Sequence, residues 1–258
     1  MTLFEELRRI VETGERAVVL TVVAGEPLGA KLLVREDGTT TGDGPVELAE
    51  LGPAAIRRGR SHEIALGDRR ILADVYGPPA RLLVYGAVDT ADALCRSAKL
   101  LGWHTIVADA RPRFATRERL PNADEILVAW PDEALVHVRP DVGTAVVLLT
   151  HDDKFDFPMI KGTLATEAFY IGLLGSRRNQ ARRRELLLAD GVSEAELDRI
   201  SGPCGLDIGA EAPAETALSI LAEILASRAG REGGALKTSK HRIHAEPVAS
   251  VSPSPNKK

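Results

Sequence analysis

From Arg81 onward, short and almost wholly apolar segments alternate with helical segments, and this alternation most limits the possible folds. The segments RLLVY (81–85) and TAVVLLT (144–150) show no alternation of apolar and polar residues, so both faces of each predicted strand must be buried. Strands of this kind that are separated by helices form a parallel sheet with right-handed crossovers. We therefore predict a Rossmann-like, doubly wound α/β domain over residues 81–227.

The elements of this domain can be placed from apolar spacing and from residues that begin or end helices. Gly102 ends the first predicted helix, and Ser193 with Glu196 forms a capping box that begins a short one. Another helix is predicted to start near Pro158. The predicted strands are 81–85, 104–108, 125–129, 144–150 and 169–174, and the longer predicted helices are 90–101, 176–191 and 213–227.

Residues 1–76 have a different pattern and predict a smaller N-terminal α+β domain. An amphipathic helix ends at Gly14, and the β-branched run 17–23 predicts the first of several strands. Residues 77–80 are rich in glycine and proline and form the predicted linker. The C-terminal residues 228–258 are rich in Gly, Ser, Pro and Lys, and this composition predicts a disordered tail.

Composition limits the partners and the location of the chain. The net charge of −4 gives no support for a protein that neutralises many nucleic-acid phosphates. No apolar run approaches the roughly 20 residues that cross a bilayer, and the N-terminal helix is not a secretion signal. Cys95 and Cys204 make no disulfide framework, and no zinc-type spacing of Cys and His is present. We predict a cytoplasmic protein that binds neither membrane nor nucleic acid and holds no metal directly.

Ligands of a doubly wound sheet bind beyond the carboxyl ends of its strands, so the loops at that edge are the candidate sites. The loop after the first strand contains Gly86, the one glycine it shares with the G-x-G-x-x-G dinucleotide motif. Val88 stands where the second glycine would let the backbone approach a pyrophosphate, and Asp89 is expected to cap the next helix. The residues favour a tight strand-to-helix turn here over a dinucleotide site.

Titratable residues follow two further strands. Asp109 comes twenty-three positions after Gly86, where an acidic residue can hold a ribose hydroxyl. Arg111 is placed to pair with a phosphate or with Asp109 itself. His151 and Asp152 come directly after the most apolar strand, and such side chains at a switch region are typical of a ligand site. We take these residues as candidate ligand contacts; the structural alternatives are a strand-end acid and a helix-capping aspartate.

The loop before the arginine-rich helix gives the clearest physical indication of a ligand. Gly175 lets the chain turn, Ser176 is placed to cap the helix, and free backbone N–H groups should face outward. Arg177 and Arg178 lie in the first turn, where positive charge opposes the helix dipole. This placement predicts an anion site with guanidinium donors for phosphate, unless acidic side chains pair with them. Arginines 182–184 are expected to form a solvated face.

A glycine-dense loop, 202–211, precedes the last helix. Its glycines predict close approach of the backbone to a ligand or to neighbouring loops, and Asp207 and Glu211 are its candidate contacts. Cys204 is predicted to be an accessible thiol without a chemical role, because no general base or metal-ligand spacing accompanies it. Cys95 lies on the apolar face of a helix and is predicted to be core.

Four segments of the second domain resemble the XdhC/CoxI family of maturation factors for molybdenum hydroxylases such as xanthine and carbon monoxide dehydrogenases. They are VADARPRFATRERLPNADE (107–125), LLTHDDKFDFP (148–158), YIGLLGSRR (170–178) and GPCGLDIGAEAPAETALSILAEI (202–224), in the family's order and spacing. The resemblance implies a protein that binds molybdenum cofactor as cargo, assists its sulfuration and delivers it to the apo-hydroxylase. It implies an accessory or carrier protein more than a turnover enzyme, and no catalytic residue is assigned.

The chain departs from the family pattern at two places. Many members have a GAG-type loop followed by His after the first strand, where this chain has Gly86-Ala87-Val88-Asp89. Many also carry a G-G-C-V-E-like segment in the small domain, where residues 41–47 are TGDGPVE and contain no cysteine. The first departure weakens the expectation of a dinucleotide role. The second weakens the expectation of a sulfur relay, because the cysteine that would carry it is missing.

The resemblance implies two partner proteins, the apo-hydroxylase and a sulfur-donating desulfurase, and a chain that forms homo-oligomers. A phosphate-bearing pterin would suit the site at Gly175–Arg178. Two other functions stay open. The fold, with Asp109 and Arg111, also suits an NAD(P)-binding oxidoreductase. A nucleotide-sensing or protein-binding Rossmann module would be favoured if neither ligand bound.

Overall fold

The computed structural model describes residues 2–239 and the backbone of 246–247. These residues divide into two compact units, one formed by 2–78 with 235–239 and 246–247, the other by Pro79–Gly234. The elements in chain order are α1 (Leu3–Thr13), β1 (Ala17–Ala24), β2 (Lys31–Arg35), β3 (Thr40–Gly42), a 3-10 helix (Val46–Leu51), α2 (Gly52–Arg58), β4 (His62–Leu66), β5 (Arg69–Tyr76), β6 (Arg81–Tyr85), α3 (Asp89–Lys99), β7 (His104–Ala108), β8 (Glu125–Leu127), α4 (Pro131–Val138), β9 (Thr144–Leu148), α5 (Asp153–Leu164), β10 (Tyr170–Leu173), α6 (Arg177–Ala189), α7 (Glu194–Leu197), β11 (Ile200–Ser201), α8 (Pro213–Arg228), a 3-10 helix (Leu236–Thr238) and β12 (Glu246–Pro247). No helix among these residues is long and apolar enough to cross a membrane.

The first unit is a six-stranded sheet in the order β12-β4-β5-β1-β2-β3. Strand β1 lies inside the sheet because its β-branched run AVVLTVVA suits burial, and it pairs antiparallel with both β2 and β5. Helix α1 begins with a capping box between Thr2 and Glu5 and ends at Gly14 in the left-handed conformation. Its Ile10 packs on Val19 and Leu33 in the core of this unit.

The segment predicted as a disordered tail contains two described elements. Leu236–Thr238 forms a 3-10 helix, and β12 pairs in parallel with β4. Helix α8 also extends to Arg228, one residue beyond its predicted end. Residues 240–245 and 248–258 of the predicted tail lie outside the described residues.

The second unit is a parallel six-stranded sheet in the order β11-β10-β9-β6-β7-β8. This is the strand order of the dinucleotide-binding doubly wound fold, and the predicted Rossmann-like fold class is confirmed. The first strand in sequence, β6, lies between β7 and β9, so the direction of winding reverses between β6 and β9. The carboxyl ends of these two strands form the switch point at which this fold class binds ligands.

Helices cover both faces of the parallel sheet. One face buries apolar side chains of α3 and α8, including Leu94 and Ile220, against Leu82 and Val147 of the strands. The other face buries residues of α4, α5 and α6. Because both faces are covered, the central strands are almost wholly apolar, and all five residues of β9 are buried.

Two short elements of the second unit are absent from the sequence prediction. Helix α4 has Pro131 in its first turn and buries Ala134 and Val138 at helical spacing, but its eight residues are a weak periodic signal. Strand β11 has two residues. Strands β8 and β9 are each two residues shorter than the predicted 125–129 and 144–150.

The predicted start of a helix near Pro158 is wrong, because α5 begins at Asp153. The side chain of Asp152 caps this helix by accepting a hydrogen bond from the Lys154 backbone N–H at 3.2 Å. Pro158 lies inside the helix, where it has no N–H to donate to the preceding turn.

Asp124 supplies a pH-dependent contribution to the stability of the second unit. Its carboxylate loses hydration on folding, but it lies 2.8 Å from the Lys99 Nζ and accepts two hydrogen bonds from Thr105, each of 2.8 Å. These partners outweigh the desolvation and lower the pKa of Asp124 to about 2. A depressed carboxyl pKa stabilises the fold above the unfolded-state value, and this stabilisation is lost as pH falls through the folded value.

We expect Asp124→Asn to lower the free energy of unfolding by about 1–2 kcal/mol at pH 7, discounted for partial exposure, and to flatten its decrease between about pH 4 and 2. Denaturant unfolding at pH 7 and pH 3 measures both effects. Asp132→Asn is the matched control, since it removes one exposed carboxylate of the same unit and should change the free energy of unfolding at pH 7 little. Identical acid dependence in Asp124→Asn and the native chain would contradict this prediction.

Candidate functional site

Gly86 lies at the switch point, and its backbone touches the end of the neighbouring strand. It has a φ of 114°, and a Cβ there would lie 3.0 Å from the Thr150 Cγ2 and 3.2 Å from the Leu149 carbonyl carbon. Its N–H donates to the Ala108 carbonyl at 2.8 Å. The close contact between the loops after β6 and β9 therefore requires a glycine, whether or not a ligand is present.

The prediction that Asp89 caps α3 is wrong. Val88 is the capping residue, with no side-chain hydrogen bond, and Asp89 is the first residue of the helix. The Asp89 carboxylate instead lies 3.5 Å from the Arg119 guanidinium and is largely exposed. A carboxylate in this first turn still benefits from the helix dipole, but it leaves the first backbone N–H groups of α3 uncapped.

Asp109, at the end of β7, is buried and held by four hydrogen bonds. One oxygen accepts from the Arg111 backbone N–H and Nε, both at 2.9 Å. The other accepts from the Arg111 terminal nitrogen at 2.8 Å and from the Ala87 backbone N–H at 2.9 Å. Burial opposes its charge, but the bonds from Arg111 and Ala87 outweigh burial and hold the pKa of Asp109 below its usual value.

This network has a consequence for dinucleotide binding. A carboxylate offers about four lone-pair positions, and the protein occupies all four at Asp109. A ribose hydroxyl would have to displace one of these donors. Of the two roles that the sequence allows for Arg111, pairing with Asp109 is the one found. Asp109 also fixes the loop after β6, through its hydrogen bond with Ala87.

His151 and Asp152 both lie at the solvent-exposed start of α5. Asp152 caps the helix and lies 3.2 Å from the Lys154 Nζ, so this residue has the helix-capping role that the sequence offers as the alternative to a ligand contact. Its charge also reaches Arg111: the hydrogen bonds to Asp109 raise the pKa of Arg111 most, and Asp152 adds to that effect. Arg111 and Lys154, the partner of Asp152, both lie near the Phe155 ring, so Arg111 and Asp152 belong to the same part of the sheet edge.

A buried ion pair between Asp156 and Arg183 lies next to the switch point, and sequence reasoning missed it. Asp156 is 1% exposed and Arg183 5%. Arg183 donates to Asp156, to the Thr150 carbonyl at 3.2 Å and to the Leu174 carbonyl at 2.9 Å, while the Thr150 hydroxyl donates to Asp156. One side chain of α6 therefore joins the loops that follow β9 and β10.

The arginines of α6 separate into two groups, and the prediction of a solvated face at 182–184 is wrong for Arg183. Arg182 pairs with Asp153, and Arg184 pairs with Glu194 and Asp198. Among residues 2–239, no carboxylate pairs with the exposed Arg177 or Arg178 in the first turn.

The N-terminus of α6 also keeps backbone donors. The Ser176 hydroxyl accepts from the Asn179 N–H at 3.2 Å, as predicted for a cap. Within the described part of the chain, the N–H groups of Arg177 and Arg178 have no acceptor. Two unpaired guanidinium groups and free helix N–H groups therefore lie together at this end of α6, and that combination suits an anion. We call Ser176–Arg178 the anion corner.

A cavity of about 250 Å³ continues from this corner along α6. Its walls are apolar side chains and the Gly202-Pro203 segment, and its polar groups are Gln180 and arginines of α6. The lining residues are Leu173, Arg177, Gln180, Ala181, Arg183, Arg184, Leu187, Leu197, Ile200, Gly202 and Pro203. Arg177 is thus shared between the anion corner and the cavity.

The glycine-dense loop 202–211 approaches its own helix α8 closely. A Cβ on Gly205 would lie 2.4 Å from the Ser219 hydroxyl, and the Gly205 N–H donates to Glu223 at 2.7 Å. Asp207 and Glu211 are exposed, and no described contact brings either side chain to the switch point or to the anion corner.

Cys204 is not the accessible thiol that the sequence predicts. It is 8% exposed, and burial raises its thiol pKa to about 12. Cys95 is buried in the core as predicted, and burial raises its pKa to about 12 as well. Neither thiol is therefore a thiolate at neutral pH. Within residues 2–239, no three His, Cys, Asp or Glu side chains are arranged to hold a metal ion.

Comparison with protein-family models identifies residues 82–224, more than half of the chain, as an XdhC Rossmann domain. The chain belongs to the XdhC family. The matched range covers the parallel sheet from the second residue of β6 onward and every candidate site residue from Gly86 to Glu211, so the resemblance found in the sequence is confirmed.

Three relatives are similar to this chain over more than half of its length. The uncharacterized protein YqeB of Escherichia coli is 32% identical over 235 residues, covering 82% of this chain and 43% of that protein. A probable xanthine dehydrogenase component of Bacillus subtilis is 34% identical over 151 residues, covering 58% and 44%. The molybdenum cofactor insertion chaperone PaoD of E. coli is 26% identical over 275 aligned positions, covering 85% and 86%. The XdhC chain thus spans less than half the length of the first two.

A solved structure supports the fold. The crystal structure of a xanthine dehydrogenase from Bacillus halodurans superposes with a TM-score of 0.60 at 24% sequence identity, covering 93% of this chain and 68% of that one. At this identity the likeness concerns the fold alone.

Proposed function

We propose that this XdhC-family chain is a maturation factor that binds molybdenum cofactor, assists its sulfuration and delivers it to an apo-hydroxylase of the xanthine or carbon monoxide dehydrogenase type. Its relatives include a protein named as a molybdenum cofactor insertion chaperone, matched along 86% of its length. The chain acts on this proposal as a carrier, which binds its cargo in one-to-one amounts and releases it to the partner enzyme.

The observation that carries the proposal is the anion corner at Ser176–Arg178, where neither arginine has a carboxylate partner. The other arginines of α6 have carboxylate partners, whereas Arg177 and Arg178 leave two cations beside free helix N–H groups. Without an anion, positive charge in this first turn opposes the helix dipole. A cofactor phosphate would satisfy both guanidinium groups and the N–H groups, and the adjoining cavity of about 250 Å³ offers space for part of its body.

The buried thiols define what the chain contributes to sulfuration. Cys95 and Cys204 are the two cysteines of the whole sequence, and burial raises the pKa of each to about 12. A persulfide relay needs an accessible thiolate, so on this proposal a partner desulfurase passes the sulfur atom directly to the bound cofactor. The chain's part is to hold and present the cofactor.

The NAD(P) alternative is weaker at its central residues. Asp109 has its four acceptor positions filled by Arg111 and Ala87, and Val88 occupies the place of the second motif glycine. The strand order alone favours a dinucleotide.

The decisive experiment is therefore a titration of the purified chain with molybdenum cofactor and, separately, with NAD(H) and NADP(H). Tight nicotinamide binding with no affinity for the cofactor would overturn the proposal.

We expect the double variant Arg177→Ala/Arg178→Ala to bind molybdenum cofactor about 10- to 100-fold more weakly, because it loses charge-assisted hydrogen bonds worth about 1.5–3 kcal/mol. The fold should survive, since neither side chain is buried. Arg96→Ala/Arg182→Ala is the matched control, which removes the same charge from exposed positions of the same unit and should keep the native affinity. Equal affinities of the two double variants would remove the anion corner from the proposal.

A further inference from the structure

A band of aromatic rings and cationic side chains runs along the carboxyl edge of the sheet beside the switch point. The Trp130 and Phe155 rings lie 5.3 Å apart between centroids, and the Arg111 guanidinium lies 5.9 Å from the Phe155 ring and 4.3 Å from the Phe114 ring. The Lys154 ammonium lies 4.6 Å from the Phe155 ring. We call Trp130, Phe155, Arg111, Phe114 and Lys154 the Trp130 platform.

The platform presents an aromatic surface that the fold does not bury. Trp130 is 49% exposed, although Trp103, the other tryptophan of the chain, is only 7% exposed. Phe155 beneath it is 3% exposed and anchors it to the core. About half of Trp130 stays exposed to water, so packing against the core does not by itself account for a side chain of this size.

The platform is held rigidly by its surroundings. The Tyr85 hydroxyl donates to the Ala129 carbonyl at 3.2 Å, which fixes the residue before Trp130. The Trp130 backbone N–H donates to the Glu133 carboxylate at 2.8 Å, and Trp130 is the N-cap residue of helix α4. A preformed stacking surface of this kind loses little side-chain entropy when a ligand binds.

Hydrogen-bonding groups lie at the edge of the platform. Asp109 uses Nε and one terminal nitrogen of Arg111, so the other guanidinium N–H groups are left to donate. Asp152, which lies 3.2 Å from the Lys154 Nζ, supplies an acceptor in the same region. The platform thus combines a stacking face with both donors and acceptors, and its paired charges make it suited to a polar ring rather than to a bare anion.

We propose that the Trp130 platform stacks a flat heteroaromatic ring that carries both donor and acceptor edges, namely the pterin ring system of the cargo. This inference rests on the proposed function, from which the identity of the ring follows. It adds a second contact to the phosphate corner at Ser176–Arg178 and assigns the ligand's ring to the loops after β7, β8 and β9. The arginine contacts and the stacking face recognise different parts of one molecule.

The test uses pterin-6-carboxylate as the probe and follows its fluorescence anisotropy with the full-length chain. We expect saturable binding to the native chain and a dissociation constant about 10- to 100-fold larger in Trp130→Leu, the loss typical of one stacked base. Trp130→Tyr should restore most of the affinity, because it keeps an aromatic face. Trp103→Phe is the matched control and should bind the probe as the native chain does.

A second readout follows tryptophan emission. In Trp103→Phe, Trp130 is the one remaining tryptophan, so stacking of the probe should quench its emission along the same binding curve. Adenosine monophosphate should compete poorly, since adenine has no ring carbonyl to accept from the Arg111 guanidinium. Cyclohexanecarboxylate should compete poorly as well, since it has no flat ring. Absence of saturable binding, a change of less than twofold in Trp130→Leu, or equal competition by the adenine nucleotide would overturn the assignment to pterin.

Failure of this inference can be distinguished from failure of the proposed function. If molybdenum cofactor binds the native chain and Trp130→Leu equally, the platform is overturned while the carrier function stands. If the probe stacks on Trp130 but the loaded native chain transfers no cofactor to an apo-hydroxylase, the platform stands and the carrier function is overturned.

Discussion

Replacing Arg183 with alanine should lower the free energy of unfolding of the second unit by about 3–5 kcal/mol, the range found when one partner of a buried ion pair is removed. Asp156 is 1% exposed and would keep a buried carboxylate without its cation. The carbonyls of Thr150 and Leu174 would lose a donor in the same variant. Denaturant unfolding followed by far-UV circular dichroism measures the loss.

The effect of Arg183→Ala should also depend on pH. Burial raises the pKa of Asp156 even with Arg183 present, despite the opposing effect of its hydrogen bonds. Without the cation that pKa rises further, so the folded variant takes up a proton more readily than the unfolded chain. A raised carboxyl pKa stabilises the fold below the unfolded-state value, and the stabilisation is lost as pH rises through the folded value. The destabilisation should therefore be smaller near pH 4 than at pH 7.

Two variants separate the buried pair from a loss of charge alone. Arg182→Ala removes a neighbouring arginine whose pair with Asp153 is exposed, and it should cost no more than about 1 kcal/mol. Asp156→Leu/Arg183→Met removes both buried charges and should recover much of the stability that Arg183→Ala loses, because no charge is left unpaired. A loss below 1 kcal/mol in Arg183→Ala would mean that the pair does not join the two loops.

The fold of the second unit could be predicted because its signal is local and repeated. The central strands are almost wholly apolar, as in β9, and β6, β9 and β10 are each followed by a helix, so the parallel sheet follows from the sequence alone. The pairing of Asp109 with Arg111 is also local, since two positions separate them. Short elements such as β11 escaped prediction because two residues give no periodicity.

The remaining parts of the site depend on contacts between distant segments. Asp156 and Arg183 are 27 positions apart, and nothing in the composition of α6 distinguishes Arg183 from its neighbours Arg182 and Arg184. The packing of Trp130 on Phe155 likewise depends on how the loops after β8 and β9 meet. The place of Arg177 and Arg178 in the first turn is the exception, because it follows from Ser176. Whether acidic side chains pair with them could not be predicted, because that depends on distant segments.

These contacts give the carboxyl edge two halves with different chemistry. On the β10 side, Arg183 fixes the loop that leads into the anion corner, so the unpaired guanidinium groups project from a rigid base. On the β7 side, Asp109 fixes both Arg111 and the loop after β6. Gly86 and Thr150 lie where the halves meet, and they lie so close that a Cβ on Gly86 would crowd Thr150.

Gly86→Ala should consequently destabilise the second unit by about 2–5 kcal/mol, from the cost of a positive φ together with overpacking. The new methyl group would lie 3.0 Å from the Thr150 Cγ2 and 3.2 Å from the Leu149 carbonyl carbon, and the φ of 114° is one that side chains rarely adopt. Relief requires the loops after β6 and β9 to separate, and this strains the Gly86 N–H bond to Ala108. Thermal and denaturant unfolding of the ligand-free chain measure the loss.

Gly102→Ala is the control that isolates the close approach. Gly102 also has a positive φ, of 72°, but no heavy atom lies within 4 Å of a Cβ placed there. Alanine at this position should cost only about 1–2 kcal/mol, the penalty of the left-handed conformation. If Gly86 served only to let a pyrophosphate approach, Gly86→Ala would be no less stable than Gly102→Ala and would lose ligand affinity alone. If Gly86 has a structural role at the switch point, Gly86→Ala should lose more stability than Gly102→Ala even without a ligand. The contacts at Ser176–Arg178 should stay unaltered.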